Sequence, residues 1–348
     1  MKNRTLFLLV LILVLLLSAC ALTGEAAEPT EPLLEAAGAA RGQTIPASAT
    51  PTELPPDVPP STRAPAQADT TSKDSAPVKT SPTPPAGLPT AGVSLPAETN
   101  PPPASEFWQK LPVIPMVGDR PKDIFQRGLE LGNNAHAYSK IGDCGSTPAW
   151  FLGDFDRGTR FYSLGPYIEL ESVIAYFSGS HERTSLAARS GFNVSSIFSP
   201  LWVNRDYCGP DEAPLACEYR VHKPAMAFIM LGTNDVFHPD DFEPGMRRII
   251  EYSIDNGVIP ILTTKADNQE GDHRINATLA RLALEYDVPL WNYWRAVQEL
   301  PNQGLQEDGA HLSWGPNRFD DPEALEKAWT VRNLTALQAL DAVWRAIQ

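Results

Sequence analysis

Residues 225–235 read AMAFIMLGTND, seven apolar residues followed by a short polar segment. An uninterrupted apolar run of this length is typical of a central strand in a parallel sheet, where helices cover both faces. Thr233, Asn234 and Asp235 then stand where this strand gives way to a loop. In open α/β sheets ligands bind at the carboxyl ends of the strands. The segment therefore indicates both a fold class and the place of a functional site.

Strand and helix patterns alternate on both sides of this segment. The sequence predicts further strands at 137–142, 186–189 (weakly), 258–263 and 288–293, and helices at 123–132, 241–256, 271–286 and 322–347. Such alternation predicts an α/β fold with a mostly parallel sheet and helices on both sides of it.

Two other polar segments carry reactive side chains. Ile141-Gly142-Asp143-Cys144 closes the first predicted strand, and Asp308-Gly309-Ala310-His311 lies in a loop near the C-terminus. Together with the Asn234 amide they supply a nucleophile, a base, an orienting carboxylate and a hydrogen-bond donor. These are the groups that acyl transfer requires.

Each group has an expected role. Cys144 would attack an acyl carbon, and His311 would take up its proton and later return it. Asp308 would hold the imidazole in the required tautomer. Asn234, with backbone N–H groups at Cys144 and Gly191, would stabilise the developing oxyanion.

At these positions the chain resembles the SGNH (GDSL-like) hydrolases, whose four blocks carry Ser, Gly, Asn and His. Gly142-Asp143-Cys144 matches the first block, Ser190-Gly191-Phe192-Asn193 is the candidate for the second, and Leu231–Asp235 and Asp308–His311 match the third and fourth. The resemblance implies a flavodoxin-like three-layer α/β/α sandwich that hydrolyses esters without a cofactor or metal. Small esters or O-acetyl groups on glycans are the implied substrates.

The chain departs from this family at the nucleophile, where Cys144 stands in place of serine. Three interpretations are open at this point. Cys144 is the nucleophile, or Ser146 replaces it two residues later, or the domain has lost hydrolysis. In the last case it would bind a carbohydrate or another envelope ligand in the old cleft.

The N-terminus predicts export. Lys2 and Arg4 precede an apolar run at residues 6–17, which is too short to be a comfortable membrane span. Leu17-Ser18-Ala19-Cys20 then resembles the lipobox of bacterial lipoproteins, which implies a signal peptide at residues 1–19 and a lipid on Cys20. We therefore expect a protein of the bacterial cell envelope, outside the cytoplasm, anchored to the membrane by lipid.

A tether and one domain follow. Residues 21–105 contain no Phe, Tyr or Trp and hold 18 of the 34 prolines, so they cannot bury enough apolar surface to fold. We predict a disordered tether at 20–105 and one hydrolase-like domain at 106–348, expected to be a monomer.

The net charge bears on the binding partners of the protein, and the cysteines bear on its disulfide bonding. The net charge of −14 disfavours nucleic acid, because an acidic surface repels phosphate backbones. Cys208 and Cys217 flank a turn-rich loop, where a local disulfide is expected in an oxidising compartment. If that disulfide forms and Cys20 carries a lipid, Cys144 is the one cysteine left over. A cysteine outside a disulfide in an oxidising compartment needs a reason, and a catalytic role would supply one.

Overall fold

A computed structural model of the chain describes residues 107–348. The signal peptide predicted at 1–19, the lipidated Cys20 and the tether predicted at 20–105 lie outside these residues. Across the described part of the chain, no helix combines the length and the apolar character needed to cross a bilayer.

The described residues form the following regular elements. The strands are β1 (Asn134–Gly142), β2 (Tyr162–Ser163), β3 (Pro224–Met230), β4 (Ile259–Thr263), β5 (Leu290–Trp291) and β6 (Asn317–Arg318). The α-helices are α1 (Arg120–Glu130), α2 (Glu171–Tyr176), α3 (Pro214–His222), α4 (Pro239–Asp255), α5 (Arg274–Tyr286), α6 (Tyr293–Val297), α7 (Pro322–Leu325) and α8 (Ala328–Ala346). Short 3₁₀ turns connect several of them.

The main sheet has the strand order β1-β3-β4-β5, and all of its pairings are parallel. Every residue of β3 is buried, so helices and loops cover both faces of the sheet at its centre. Helices α1, α4 and α5 contact β4, and α8 packs against α2 and α6. The predicted α/β class with a mostly parallel sheet is confirmed.

A single parallel bridge extends the sheet on the free side of β1. Gly142 pairs with Ala188, and the backbone hydrogen bonds Gly142 N–Ala187 O and Arg189 N–Gly142 O are both 3.1 Å long. The Ala188 segment therefore lies at the edge of the main sheet, next to β1, β3, β4 and β5 in that order. If the strands of this sheet alone are numbered along the chain, the Ala188 segment is the second, and the spatial order 2-1-3-4-5 is a doubly wound order. Its switch point lies between β1 and β3, so the crevice at their carboxyl ends is the expected ligand site.

Several predicted elements are shorter than the sequence suggested. The strand expected at 186–189 is reduced to the Ala188 bridge. The strand expected at 288–293 ends at Trp291, because Asn292 caps α6 by accepting a hydrogen bond from Arg295 N. The helix expected at 322–347 is interrupted between α7 and α8. Helices α2, α3 and α6 and the small parallel pair of β2 with β6 were not predicted.

A disulfide joins Cys208 and Cys217 across the loop that the sequence had marked. Cys217 lies on α3, so the bond ties this loop to a helix, and both cysteines belong to a small apolar cluster with the buried Val203. Arg220 on the same helix forms a salt bridge with Glu212 inside the loop. The disulfide and the salt bridge therefore both connect this loop to the helix that precedes β3.

Candidate active site

The nucleophile candidate lies on a tight turn directly after β1. Asp143 caps a 3₁₀ turn at Cys144–Ser146, with its Oδ1 accepting a hydrogen bond from Gly145 N at 2.9 Å. Gly142 must be glycine, because a Cβ there would lie 2.2 Å from Ser146 Oγ and 2.5 Å from Met230 O. Cys144, of intermediate exposure, is thus presented at the carboxyl end of β1 beside the switch point.

Ser146 faces the interior. It is fully buried, and its Oγ has no hydrogen-bond partner among the described residues. The hydroxyl packs over Gly142 on the side of the turn toward β3. A buried hydroxyl cannot reach an external ester without rearrangement of the turn, so this position disfavours Ser146 as the alternative nucleophile.

The asparagine block follows β3 and holds the glycine block. Asn234 Nδ2 donates a hydrogen bond to Phe192 O at 3.0 Å. Val194 N donates to Asp235 Oδ1, also at 3.0 Å. Gly191 is exposed, and no atom lies within 4 Å of the position that its Cβ would take. The second and third predicted blocks are therefore brought together, and the backbone at Gly191 lies open.

The C-terminal loop holds a histidine and a carboxylate in contact. The distance from His311 Nδ1 to Asp308 Oδ2 is 2.5 Å. Asp308 Oδ1 also accepts hydrogen bonds from Ala310 N and His311 N, both at 3.0 Å. Partial burial tends to raise the pKa of Asp308, but these hydrogen bonds and the nearby imidazole outweigh it and lower the pKa. An ionised Asp308 fixes the ring proton on Nδ1 and leaves Nε2 as the basic nitrogen.

The loop after β4 connects this histidine loop to the asparagine block. Gln269 Nε2 donates to Gly309 O at 2.7 Å, and Thr233 Oγ1 donates to Asp267 Oδ2 at 2.8 Å. Lys265 Nζ lies 2.5 Å from Asp267 and 2.6 Å from Glu270 in a buried ion-pair cluster. The segment at 265–270 therefore links the asparagine block to the histidine loop.

Charges from all of these segments act on Asp143. Burial raises the pKa of Asp143, while Arg332 and His311 lower it and Asp267 raises it further. Burial also raises the pKa of Asp235 to about 6, against hydrogen bonds from Val194 and Gly232, and Asp143 contributes to this increase. The segments after β1, β3 and β4 and the histidine loop therefore share one electrostatic environment.

Two carboxylates in the loop after the nucleophile turn make hydrogen bonds that hold the fold together. Asp154 accepts a hydrogen bond from Asn317 Nδ2 at 2.8 Å, which ties its loop to β6. Asp156 accepts from the backbone of Gly179 and Glu182. The only group of potential metal ligands within residues 107–348 is Cys208, Glu212 and Cys217, and the disulfide occupies both of its sulfurs.

Each of the four loops with a site residue also carries an exposed aromatic side chain. Their exposed fractions are 38% for Trp150, 45% for Trp202, 70% for Phe237 and 65% for Trp314. Trp150 stacks on Trp329 at a centroid distance of 5.4 Å. Each of these loops therefore presents an aromatic surface to solvent close in sequence to a candidate site residue.

Sequence reasoning missed one residue near the site, Arg332 on α8. It is 7% exposed, and its Nη1 donates to Gly145 O at 2.7 Å. Its signal in the sequence was a charged residue inside the otherwise largely apolar C-terminal helix.

Comparisons with known proteins give structural neighbours only. No family model and no curated protein matches the chain, whereas 13 chains of solved structures do. One is a GDSL-like lipase from Bacteroides thetaiotaomicron, with 15% identity, a TM-score of 0.34, and coverage of 64% of this chain and 97% of that chain. Another is an acetyl xylan esterase, with 14% identity, a TM-score of 0.36, and coverage of 61% and 100%. Because these similarities are low, the assignment of function depends on the site itself.

Proposed function

We propose that this protein is an SGNH-type hydrolase that cleaves ester bonds with Cys144 as its nucleophile. One observation carries the proposal: His311, held by Asp308, acts on Asp143 in the turn that presents Cys144, and the Asn234 amide is anchored on the glycine block after the neighbouring strand β3. Acyl transfer needs these groups close together and in fixed orientations. Hydrogen bonds fix the orientation of the Asn234 amide and of the His311 ring.

The proposed reaction has two halves. The Cys144 sulfur attacks the ester carbonyl while its proton passes to His311 Nε2. The alcohol leaves with that proton, and a thioester on Cys144 remains. Water then attacks the thioester with the same imidazole as base, which releases the acid and restores the thiol. In both halves the Asn234 amide and backbone N–H groups at Cys144 and Gly191 stabilise the oxyanion.

For the substrate we propose O-acetyl groups on a glycan. The exposed aromatics on the four site loops offer flat apolar faces of the kind that stack on sugar rings, more than a small free ester would need. The predicted export signal and tether at residues 1–105 favour a polymer of the cell envelope or its surroundings. We propose accordingly that a lipid on Cys20 anchors the protein outside the cytoplasm.

The test compares hydrolysis by the full chain, purified in detergent, with that by single variants. Acetate release from an acetylated xylan and cleavage of 4-nitrophenyl acetate are measured for the wild type, Cys144→Ala, His311→Ala and Ser146→Ala. We expect the first two variants to lose at least about 10²-fold in rate, because they remove the nucleophile or its base. Ser146→Ala should keep its activity.

The matched control is His136→Ala, which removes an exposed histidine near the start of β1, at the opposite end of that strand from Cys144. Equal rates for the wild type, Cys144→Ala and His311→Ala would contradict the proposal. Saturable binding of the glycan without turnover would instead favour the second function, a binding module that has lost hydrolysis.

A further inference from the structure

Arg332 is a buried cation that interacts electrostatically with Asp143 in the nucleophile turn. Its guanidinium carbon lies 4.9 Å from the ring centres of Phe151 and Trp329 and 5.7 Å from that of Tyr293. Among the described residues no carboxylate lies within salt-bridge distance of Arg332, but the charge of Asp143 acts on it, and its Nε has no hydrogen-bond partner. Burying a charge in this way is costly, and the aromatic faces offset only part of the cost.

The hydrogen bonds of Arg332 direct this charge toward the nucleophile turn. Nη1 donates to the carbonyl oxygen of Gly145, the residue after Cys144, at 2.7 Å. Nη2 lies 3.2 Å from the sulfur of Met230 at the end of β3. The guanidinium thus fills the space between the turn, the end of β3 and the start of α8.

The histidine loop is fastened to the same part of α8. Ser313 Oγ accepts a hydrogen bond from Ala328 N at 2.9 Å, and Ser313 O accepts one from Trp329 N at 3.1 Å. The first two turns of α8 therefore hold the loop that carries His311 at one end and, through Arg332, the turn that carries Cys144. A shift of Arg332 would move the nucleophile relative to the base.

We propose that Arg332 is a positioning residue that fixes the Cys144 turn through Gly145 O and supplies the positive charge that stabilises the Cys144 thiolate. The inference rests on the proposed function for the importance of that thiolate. A nearby cation can bring the pKa of a thiol, about 8.5 in a free cysteine, down to near neutral pH. The pKa of a hydroxyl is much higher, so the same cation would leave it protonated. Arg332 would thus account for a cysteine at this position.

The electrostatics agree with this geometry. Burial lowers the pKa of Arg332, whereas Tyr293, Asp143 and Cys144 raise it. The attraction between Arg332 and an ionised Cys144 is mutual, although Cys144 acts on Arg332 less than Tyr293 and Asp143 do, and the Asp143 carboxylate opposes ionisation of the neighbouring thiol. The other titratable groups that face the turn are Asp143 within it, Tyr293 on α6, Asp235 after β3, Asp267 after β4 and His311 in the C-terminal loop.

The test measures ionisation of the thiol without any ester. The rate at which iodoacetamide alkylates Cys144 in the full chain is followed from pH 5 to pH 10, with the modified peptide identified by mass spectrometry. For the wild type we expect a midpoint below the value of about 8.5 for a free cysteine. Arg332→Gln should raise the midpoint by about one pH unit or more, which is the usual effect of removing an adjacent opposite charge.

Two variants separate charge from packing. Arg332→Lys keeps the charge, so its midpoint should lie closer to that of the wild type than to that of Arg332→Gln. Arg345→Gln removes an exposed arginine from the last turn of the same helix and should leave the midpoint unchanged. A folded Arg332→Gln protein with the wild-type midpoint would overturn the proposal. If that variant does not fold, a wild-type midpoint at or above about 8.5 overturns it instead.

This readout is independent of hydrolysis. If Cys144 shows an arginine-dependent midpoint but the protein cleaves no ester, the proposed function fails and the role of Arg332 in thiol ionisation stands.

Discussion

Asp235, the last residue of the asparagine block, should make the stability of the protein depend on pH. It is 2% exposed, and while its Oδ1 accepts a hydrogen bond from Val194 N, its Oδ2 is buried without a partner among the described residues. Burial raises its pKa from 3.8 to about 6, although N–H groups of Val194 and Gly232 act in the opposite direction. The folded state therefore favours the neutral acid.

The magnitude follows from the size of that shift. An increase from 3.8 to about 6 is roughly two pH units, and each unit corresponds to about 1.36 kcal/mol, which gives about 3 kcal/mol. Because the folded pKa is the higher one, the folded state binds more protons than the unfolded state between these values. The contribution is fully present below about pH 4 and is lost as the pH rises to about 6.

Asp235→Asn should remove this dependence. The amide keeps an acceptor for Val194 N and resembles the neutral acid in shape and charge, so it has no ionisation to oppose at neutral pH. Relative to the wild type, the variant should gain up to about 3 kcal/mol between pH 4 and pH 7, whatever constant offset the substitution introduces. Only this change in the difference with pH is diagnostic, because other carboxyls titrate in the same range.

The assay is urea unfolding of the full chain at several pH values from 4 to 7.5, followed by tryptophan fluorescence. Asp211→Asn is the control, since Asp211 is exposed on the loop that the disulfide closes. A difference between Asp235→Asn and the wild type that stays constant with pH would refute the reasoning, and so would one that shifts in favour of the wild type as the pH rises.

The sequence predicted the central strand of the sheet because a strand buried on both faces is a continuous run of apolar residues. β3 is an unbroken apolar run, and it is covered on both faces. The β2–β6 pair left no such signal, because it joins two-residue segments, Tyr162-Ser163 and Asn317-Arg318, that lie far apart in the chain. Its position depends on tertiary contacts such as the Asn317–Asp154 hydrogen bond.

The candidate site divides in the same way. Residue types, their positions at strand ends or in a late loop, and the resemblance to four known sequence blocks selected Cys144, Asn234 and the Asp308–His311 pair as candidates. The direction of the Ser146 hydroxyl was not predictable, because it depends on a 3₁₀ turn that Asp143 caps. Arg332 left only a weak signal, a charge within a largely apolar helix, and nothing local to α8 indicates that this side chain meets the carbonyl of Gly145.

Two further predictions concern stability. Replacing Cys208 and Cys217 by serine should lower the free energy of unfolding by about 2–3 kcal/mol, because the unfolded chain loses a closed loop; dithiothreitol should produce the same loss in the wild type. Gly232→Ala should destabilise by more than about 1 kcal/mol, since φ is +134° and the new Cβ would lie 2.8 Å from Ile275 Cγ2. Gly179→Ala has a positive φ but open space, so if both alanine variants lose equally in urea unfolding, the contact with Ile275 contributes nothing.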